Sequence, residues 1–362
     1  METQKLLEIA GMFATKGEIV DVKPLGNGLI NDTFRVETAG SDPDYVLQRV
    51  NNAVFKDVDL LQHNIEVATA HIRAKLEASG EADIDRKVLK LVPVRDSEKS
   101  YVVVDEKYWR MTVLIPDSVT KEEVTPESSY SAGRAFGNFE AMLADVPEKL
   151  GETIPDFHNM ELRSRQLKEA VAADAVGRMA QDEVKEILAF LQEYDEQMCK
   201  AERMYREGLL PKRICHCDAK VSNMLFDKNG ELLCVIDLDT LMPSFIFSDI
   251  GDFLRTGAST VAEDDPNIDA VAFKMDIFKA FVSGYLETAT FITPVEKENI
   301  PYAAMLFPYM QAVRFFADYI NGDTYYRIAY PEHNLVRTRN QVALFKSILS
   351  HEEEMKAFVA SL

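Results

Sequence analysis

Cysteine is scarce in this chain: Cys199, Cys215, Cys217 and Cys234 are the whole complement, none forms a C-x-x-C pair, and a disulfide framework is excluded. A reducing, cytoplasmic setting is the expectation. Long apolar runs are lacking as well. The most apolar stretch, residues 302–320, is interrupted by Pro308, Gln311, Arg314 and Asp318, which excludes an ordinary membrane span. The N-terminal segment lacks the basic start and apolar centre of a secretion signal; Leu6, Ile9, Ala10, Phe13 and Ala14 mark one face of an amphipathic helix instead. Positive charge is in deficit, 40 basic against 60 acidic residues for a net charge of -20. That field repels nucleic acid and anionic membranes, so neither is expected as a partner, and no obligate protein partner is inferred. Internal repeats and low-complexity tracts are absent.

What is present suits a folded protein of two domains or of two lobes around a cleft: 362 residues, 47% of them hydrophobic. Short β-rich runs occupy residues 19–24, 33–38, 45–50, 88–93 and 100–104, separated by turn residues. One helical segment, residues 57–78, interrupts them with Leu60, Leu61, Ile65, Ala68, Ile72 and Leu76 at helical spacing. A last strand over 109–115 ends at Pro116, and from there the pattern is mainly helical apart from a β-rich insert at 213–239. The fold class expected is α+β. A small antiparallel-sheet lobe would occupy residues 1–115, with the connecting strand 109–115 at its end, and a helical lobe residues 116–362.

The sharpest feature is His216-Cys217-Asp218-Ala219-Lys220-Val221-Ser222-Asn223, an H-x-D-x-x-x-x-N pattern. After a hairpin signal, Asp227-Lys228-Asn229-Gly230, there follows an apolar strand ending in Ile236-Asp237-Leu238-Asp239. Phosphoryl transfer to a hydroxyl asks little covalent chemistry of a protein. It needs a carboxylate to take the hydroxyl proton and oxygen ligands to hold magnesium on the phosphates. Asp218 is the candidate base, and Asn223 and Asp237 are the candidate metal ligands. His216 reads as a hydrogen-bonding strut behind the loop. Either half alone occurs by chance as a cap or turn; their order and the hairpin between them make one site.

Four further features belong to that reading. Gly26 and Gly28 sit in a turn between the opening strands, where backbone amides approach phosphate oxygens. Arg49, or less favourably Gln48, is the cation on the third strand, with Glu66 on the following helix as its partner. The strand from Met111 to Ile115, through Val113 and Ile115, offers backbone groups to an adenine ring. A zinc site from Cys215, His216, Cys217 and Cys234 fits no common ligand spacing.

These residues resemble the aminoglycoside phosphotransferase and choline kinase superfamily, whose members share the two-lobed protein-kinase-like fold. Within it the chain is similar to bacterial N-acetylhexosamine 1-kinases, through segments including 26–33, 45–51, 236–240, 247–252, 314–325 and 330–339. The resemblance implies ATP as co-substrate, Mg2+ as cofactor, and a free sugar phosphorylated at its anomeric hydroxyl. It also places sugar contacts on Asp218, Asp237, Arg314 and Tyr325. Alternatives stay open: Arg314 as a buried ion pair with Asp318 or Asp323, Tyr325 as a packing residue, another small alcohol (an aminoglycoside, an amino alcohol, homoserine) as acceptor, or a catalytically silent nucleotide-binding scaffold. Cys217 stands where relatives often carry asparagine or glycine.

Overall fold

Alternation of apolar and polar side chains organises the first sheet. In the computed structural model, which describes residues 3–26, 30–121 and 123–362, five antiparallel strands lie in the order β1-β2-β3-β5-β4. They are β1 (Ile19–Pro24), β2 (Asp32–Thr38), β3 (Tyr45–Val50), β4 (Tyr101–Val104) and β5 (Lys107–Val113). On one face Val36, Leu47, Trp109 and Met111 join Leu6, Ile9 and Phe13 from and just beyond helix α1 (Thr3–Ala10) in a buried core. The opposite face is that of Gln48 and Arg110, paired in register across β3 and β5. Helix α2 (Val58–Ala78) begins at Asp57, whose carboxylate accepts from Leu60 N at 2.9 Å. The expected strand at 88–93 is not a full strand; it follows β5 through the Leu91–Thr112 bridge and the Val92 N–H to Met111 O bond.

The rest is mainly helical. Its helices are α3 (Pro126–Leu143), α4 (Met160–Ala173), α5 (Asp182–Met198), α6 (Lys200–Arg206), α7 (Phe247–Gly257), α8 (Met275–Thr288), α9 (Pro294–Glu298), α10 (Ile300–Ile320), α11 (His333–Ser350) and α12 (Glu352–Ser361). Helix α10 is buried on nearly all sides because α4, α7 and α11 pack around it. Helices α3 and α8 approach backbone to backbone: a Cβ on Gly133 would lie 2.0 Å from Phe281 O, and one on Gly284 2.1 Å from Tyr130 O. The β-rich insert supplies β6 (Arg213–Cys215) and a hairpin, β7 (Met224–Phe226) with β8 (Leu232–Val235). Asp227 closes that hairpin by accepting from Asn229 N and Glu231 N at 2.7 and 2.9 Å.

The fold is α+β, protein-kinase-like and two-lobed, yet its two compact units are not consecutive pieces of chain. The first comprises Met1–Lys121 with two later segments, Met142–Pro155 and Ser222–Met242; the second comprises Glu122–Ala141, Asp156–Val221 and Pro243–Leu362. Among the described residues no helix is long and apolar enough to cross a membrane.

Candidate active site

The motif segment divides between the units: Asp218 belongs to the second, Asn223 and Asp237 to the first. In the second unit β6 delivers a loop whose backbone is fixed from behind. Asp249, in the first turn of α7 and fully buried, accepts from His216 N at 2.8 Å and Cys217 N at 2.6 Å. Cys217 is thereby held at φ 62°, a left-handed conformation that disfavours a side chain bearing Cβ. His216 is completely buried, edge-on to Phe136 and Phe139, and its Nδ1 accepts from Asp218 N at 3.3 Å, so it serves as a strut.

Asp218 emerges partly exposed and forms an ion pair with Lys220 at 2.5 Å. Burial pushes the nearby Asp252 carboxyl up to about 6, with Asp218 adding to the rise and Arg255 and Lys220 opposing it. Behind the loop, Glu140, Cys215 and Asp249 bring potential metal-ligating atoms within 4.8 Å of one another. Burial and the Asp249 charge raise the Glu140 carboxyl well above its ordinary range, and burial raises the Cys215 thiol likewise. Both shifts favour the neutral form, and Glu140 accepts from the Tyr285 hydroxyl at 2.6 Å. The cluster is a hydrogen-bonded brace for the loop.

In the first unit, the Asn223 carbonyl accepts from Ile236 N at 2.9 Å, so the β7–β8 hairpin sets Asn223 beside the Ile236-Asp237 step. Asp237 is exposed and left-handed, with φ 62°. Asp239, two residues on, is buried in an ion pair with Arg110 at 2.5 Å. The Arg110 guanidinium also donates to Gln48 Oε1 at 2.9 and 3.0 Å and to Gln62 Oε1 at 3.3 Å, while Asn31 Nδ2 donates to Asp239 at 2.5 Å.

Arg49 has the opposite parity on β3: it lies across from Asp32 and forms an ion pair with it, while Glu66 is exposed. The expected Arg49–Glu66 pair is thus not formed. Gln48 faces Arg110, Gln62 stands one helical turn before Glu66, and the buried cation comes from β5. Gly26 takes φ 69° in the turn, whose edge is tied by Leu25 N to Thr33 O; Gly28 lies outside the described residues. The Val113 N–H bonds to Lys90 O, and Ile115 O accepts from Ser118 Oγ at 2.8 Å.

In the second unit, Arg314 does not pair with Asp318 or Asp323. Asp318 accepts from the amides of Thr324, Tyr325 and Tyr326 at 2.8–3.0 Å, and Asp323 pairs with Arg178 at 2.7 Å. Tyr325 is 73% exposed, which removes core packing as its reason to be there. Sequence reasoning did not single out Arg110, Asp239 as its partner, Asp249, Glu140 or Asp252. Charges placed inside apolar periodic segments were the available signal.

Residues 21–280 match the family described as phosphotransferase enzyme family, and the chain belongs to it. Similar solved structures include an aminoglycoside phosphotransferase from Alicyclobacillus acidocaldarius, at 14% identity and TM-score 0.65 over 100% of this chain and 97% of that one. A choline kinase from Cryptosporidium parvum matches at 14% identity and TM-score 0.57 over 99% and 100%. A choline kinase from Streptococcus pneumoniae matches at 14% and 0.52 over 92% and 94%. At these identities the likeness is one of fold.

Proposed function

We propose that the protein transfers the γ-phosphoryl group of ATP to the anomeric hydroxyl of an N-acetylhexosamine, giving the sugar 1-phosphate. The observation that carries the reading is the fixed loop presenting Asp218, locked by Asp249 through two backbone amides and by His216 through the Asp218 N–H. A carboxylate so held is preorganised to accept the acceptor's hydroxyl proton as the oxygen attacks phosphorus. Lys220 pairs with Asp218 Oδ1 at 2.5 Å and so constrains how the carboxylate is presented.

Asn223 and Asp237 would hold magnesium. An amide oxygen and a carboxylate, set side by side by the Asn223 O to Ile236 N bond with Asp237 exposed, are the hard donors that ion takes. When bound, magnesium neutralises charge on the phosphates. The Val113 N–H is engaged, so the donor for an adenine ring falls to Ile115. Gly26 and Gly28 would line the phosphates. Arg49 and Glu66, unpaired with one another, contribute at most from the edge of that site. Arg314 and Tyr325 would contact the sugar, with Asp218 and Asp237 at the reacting hydroxyl.

The test is magnesium-dependent ADP release from ATP across free sugars and amino alcohols, with the phosphate position read by phosphorus NMR. Turnover on an N-acetylhexosamine to the 1-phosphate, falling by about 10²–10⁴-fold or more in Asp218→Asn, is expected. Turnover confined to an amino alcohol would reject the sugar.

A further inference from the structure

We infer that Arg163, Arg314 and the Tyr326 hydroxyl form an acceptor subsite for an oxygen group that only accepts hydrogen bonds, a carboxylate or an amide carbonyl, on the molecule being phosphorylated. This rests on the kinase reading above. Arg314, in α10, donates to Gln311 Oε1 at 2.9 Å, and its guanidinium lies 5.6 Å from the Tyr326 ring and 6.0 Å from the Phe157 ring. Arg163, in the first turn of α4, donates to the Phe157 and Asp156 carbonyls at 2.8 and 3.2 Å and to Gln166 Oε1 at 3.0 Å. Among the described residues, Arg163 Nε and the Tyr326 hydroxyl are buried with no hydrogen-bond partner.

Neither arginine has a carboxylate within ion-pair distance among the described residues. Asp318 serves the 324–326 amides and Asn334, Asp323 pairs with Arg178, and the Asp156 carboxylate accepts from Asn159 Nδ2 at 2.8 Å. The two guanidinium charges consequently oppose each other. Burial, then Arg314, lowers the Arg163 pKa, and burial with Arg314, Arg163 and Arg255 holds His158 well below its usual value, so His158 stays neutral.

Two cations that both approach Phe157, an orphaned hydroxyl and an orphaned N–H make an excess of donors that an acceptor group satisfies. A quaternary or primary ammonium would add a third positive charge, which disfavours choline-like and aminoglycoside acceptors. The subsite shares its unit with Asp218, and between Glu263 and Lys220 runs a group of charges: Arg255 pairs with Glu263 at 2.7 Å and with Asp252 at 3.4 Å, and the Asp252 and Arg255 charges act on Lys220, which pairs with Asp218. Glu263 in turn bears on Tyr326.

The experiment measures kcat and KM for N-acetylglucosamine, glucuronic acid and glucose in the wild type, Arg163→Gln and Tyr326→Phe, with calorimetric binding of each sugar in parallel. Melting curves establish that the variants fold, and Tyr326→Phe, which removes one hydroxyl, stands in if Arg163→Gln does not. The expected result is a preference of about tenfold or more in kcat/KM for one substituted sugar over glucose, narrowed in the variants mainly through KM. Equal use of glucose by the wild type, or an unchanged preference in the folded variants, overturns the subsite. Transfer to none of the three overturns the hexosamine reading instead. Calorimetry then decides the subsite: binding of a substituted sugar that weakens in the variants supports it, and absence of binding overturns it.

Discussion

At the scale of single residues, the decisive distinction is between charges that meet a partner and charges that do not. Arg110 and Asp239 are both nearly inaccessible, and their pair is supported by hydrogen bonds with Gln48, Gln62 and Asn31. Removing one member leaves the other buried and uncompensated, so Arg110→Met should cost about 3–5 kcal/mol in chemical denaturation. The double variant with Asp239→Leu should recover much of that loss. A single variant within about 0.5 kcal/mol of the wild type would show that the pair is not buried as described. Arg110 was hard to place from the sequence because strand alternation sets its face but does not tell that distant residues, Asp239 among them, cover that face. Arg49 drew attention by its place in the third strand, and strand parity turned it toward Asp32. The loop that carries Asp218, by contrast, was legible because a loop motif depends on spacing along the chain and little on packing.

At the scale of elements, close backbone approach fixes the helices that brace the Asp218 loop. Helix α3 carries Phe136, Phe139 and Glu140 toward His216 and Asp249, and it reaches α8 through Gly133 and Gly284. A methyl at Gly284 would meet Tyr130 O at 2.1 Å, so Gly284→Ala must push α3 and α8 apart. The expected penalty is about 1–3 kcal/mol of unfolding free energy, read as a lowered denaturation midpoint, with slower transfer because the brace moves with α3. An unchanged midpoint would mean that the helices do not cross there. The helices themselves were readable from apolar periodicity, and α2 falls close to its expected place at 57–78. The glycine contacts were not readable, since a glycine within a helix has the same sequence appearance whether it faces solvent or another backbone.

At the scale of the whole molecule, the first unit is assembled from three segments of chain. Asn64 on α2 donates to Gly151 O and Leu241 O, both at 2.8 Å, and Arg110 needs Asp239; all three partners come after residue 121. A fragment comprising residues 1–121 would therefore leave Asn64 and Arg110 unsatisfied in an apolar setting. It should lack a cooperative unfolding transition and dispersed amide resonances, and a cooperatively folded fragment would contradict this account. A lobe boundary at residue 115 follows the change from β to helical pattern, which is a local property; the return of 142–155 and 222–242 to the first unit is set by contacts distant in sequence.

The sequence alone determined the class of fold, the alternation of its elements, and the spacing of Asp218, Asn223 and Asp237, because secondary-structure period and loop motifs are encoded within a few residues of one another. Tertiary structure alone decided which charges are buried and with whom: Arg110 with Asp239, Asp249 with the loop amides, Asp318 with the 324–326 backbone, and Arg163 under the influence of the Arg314 charge. Burial and partnership arise only when distant segments exclude water together, and no local pattern in the chain records that exclusion.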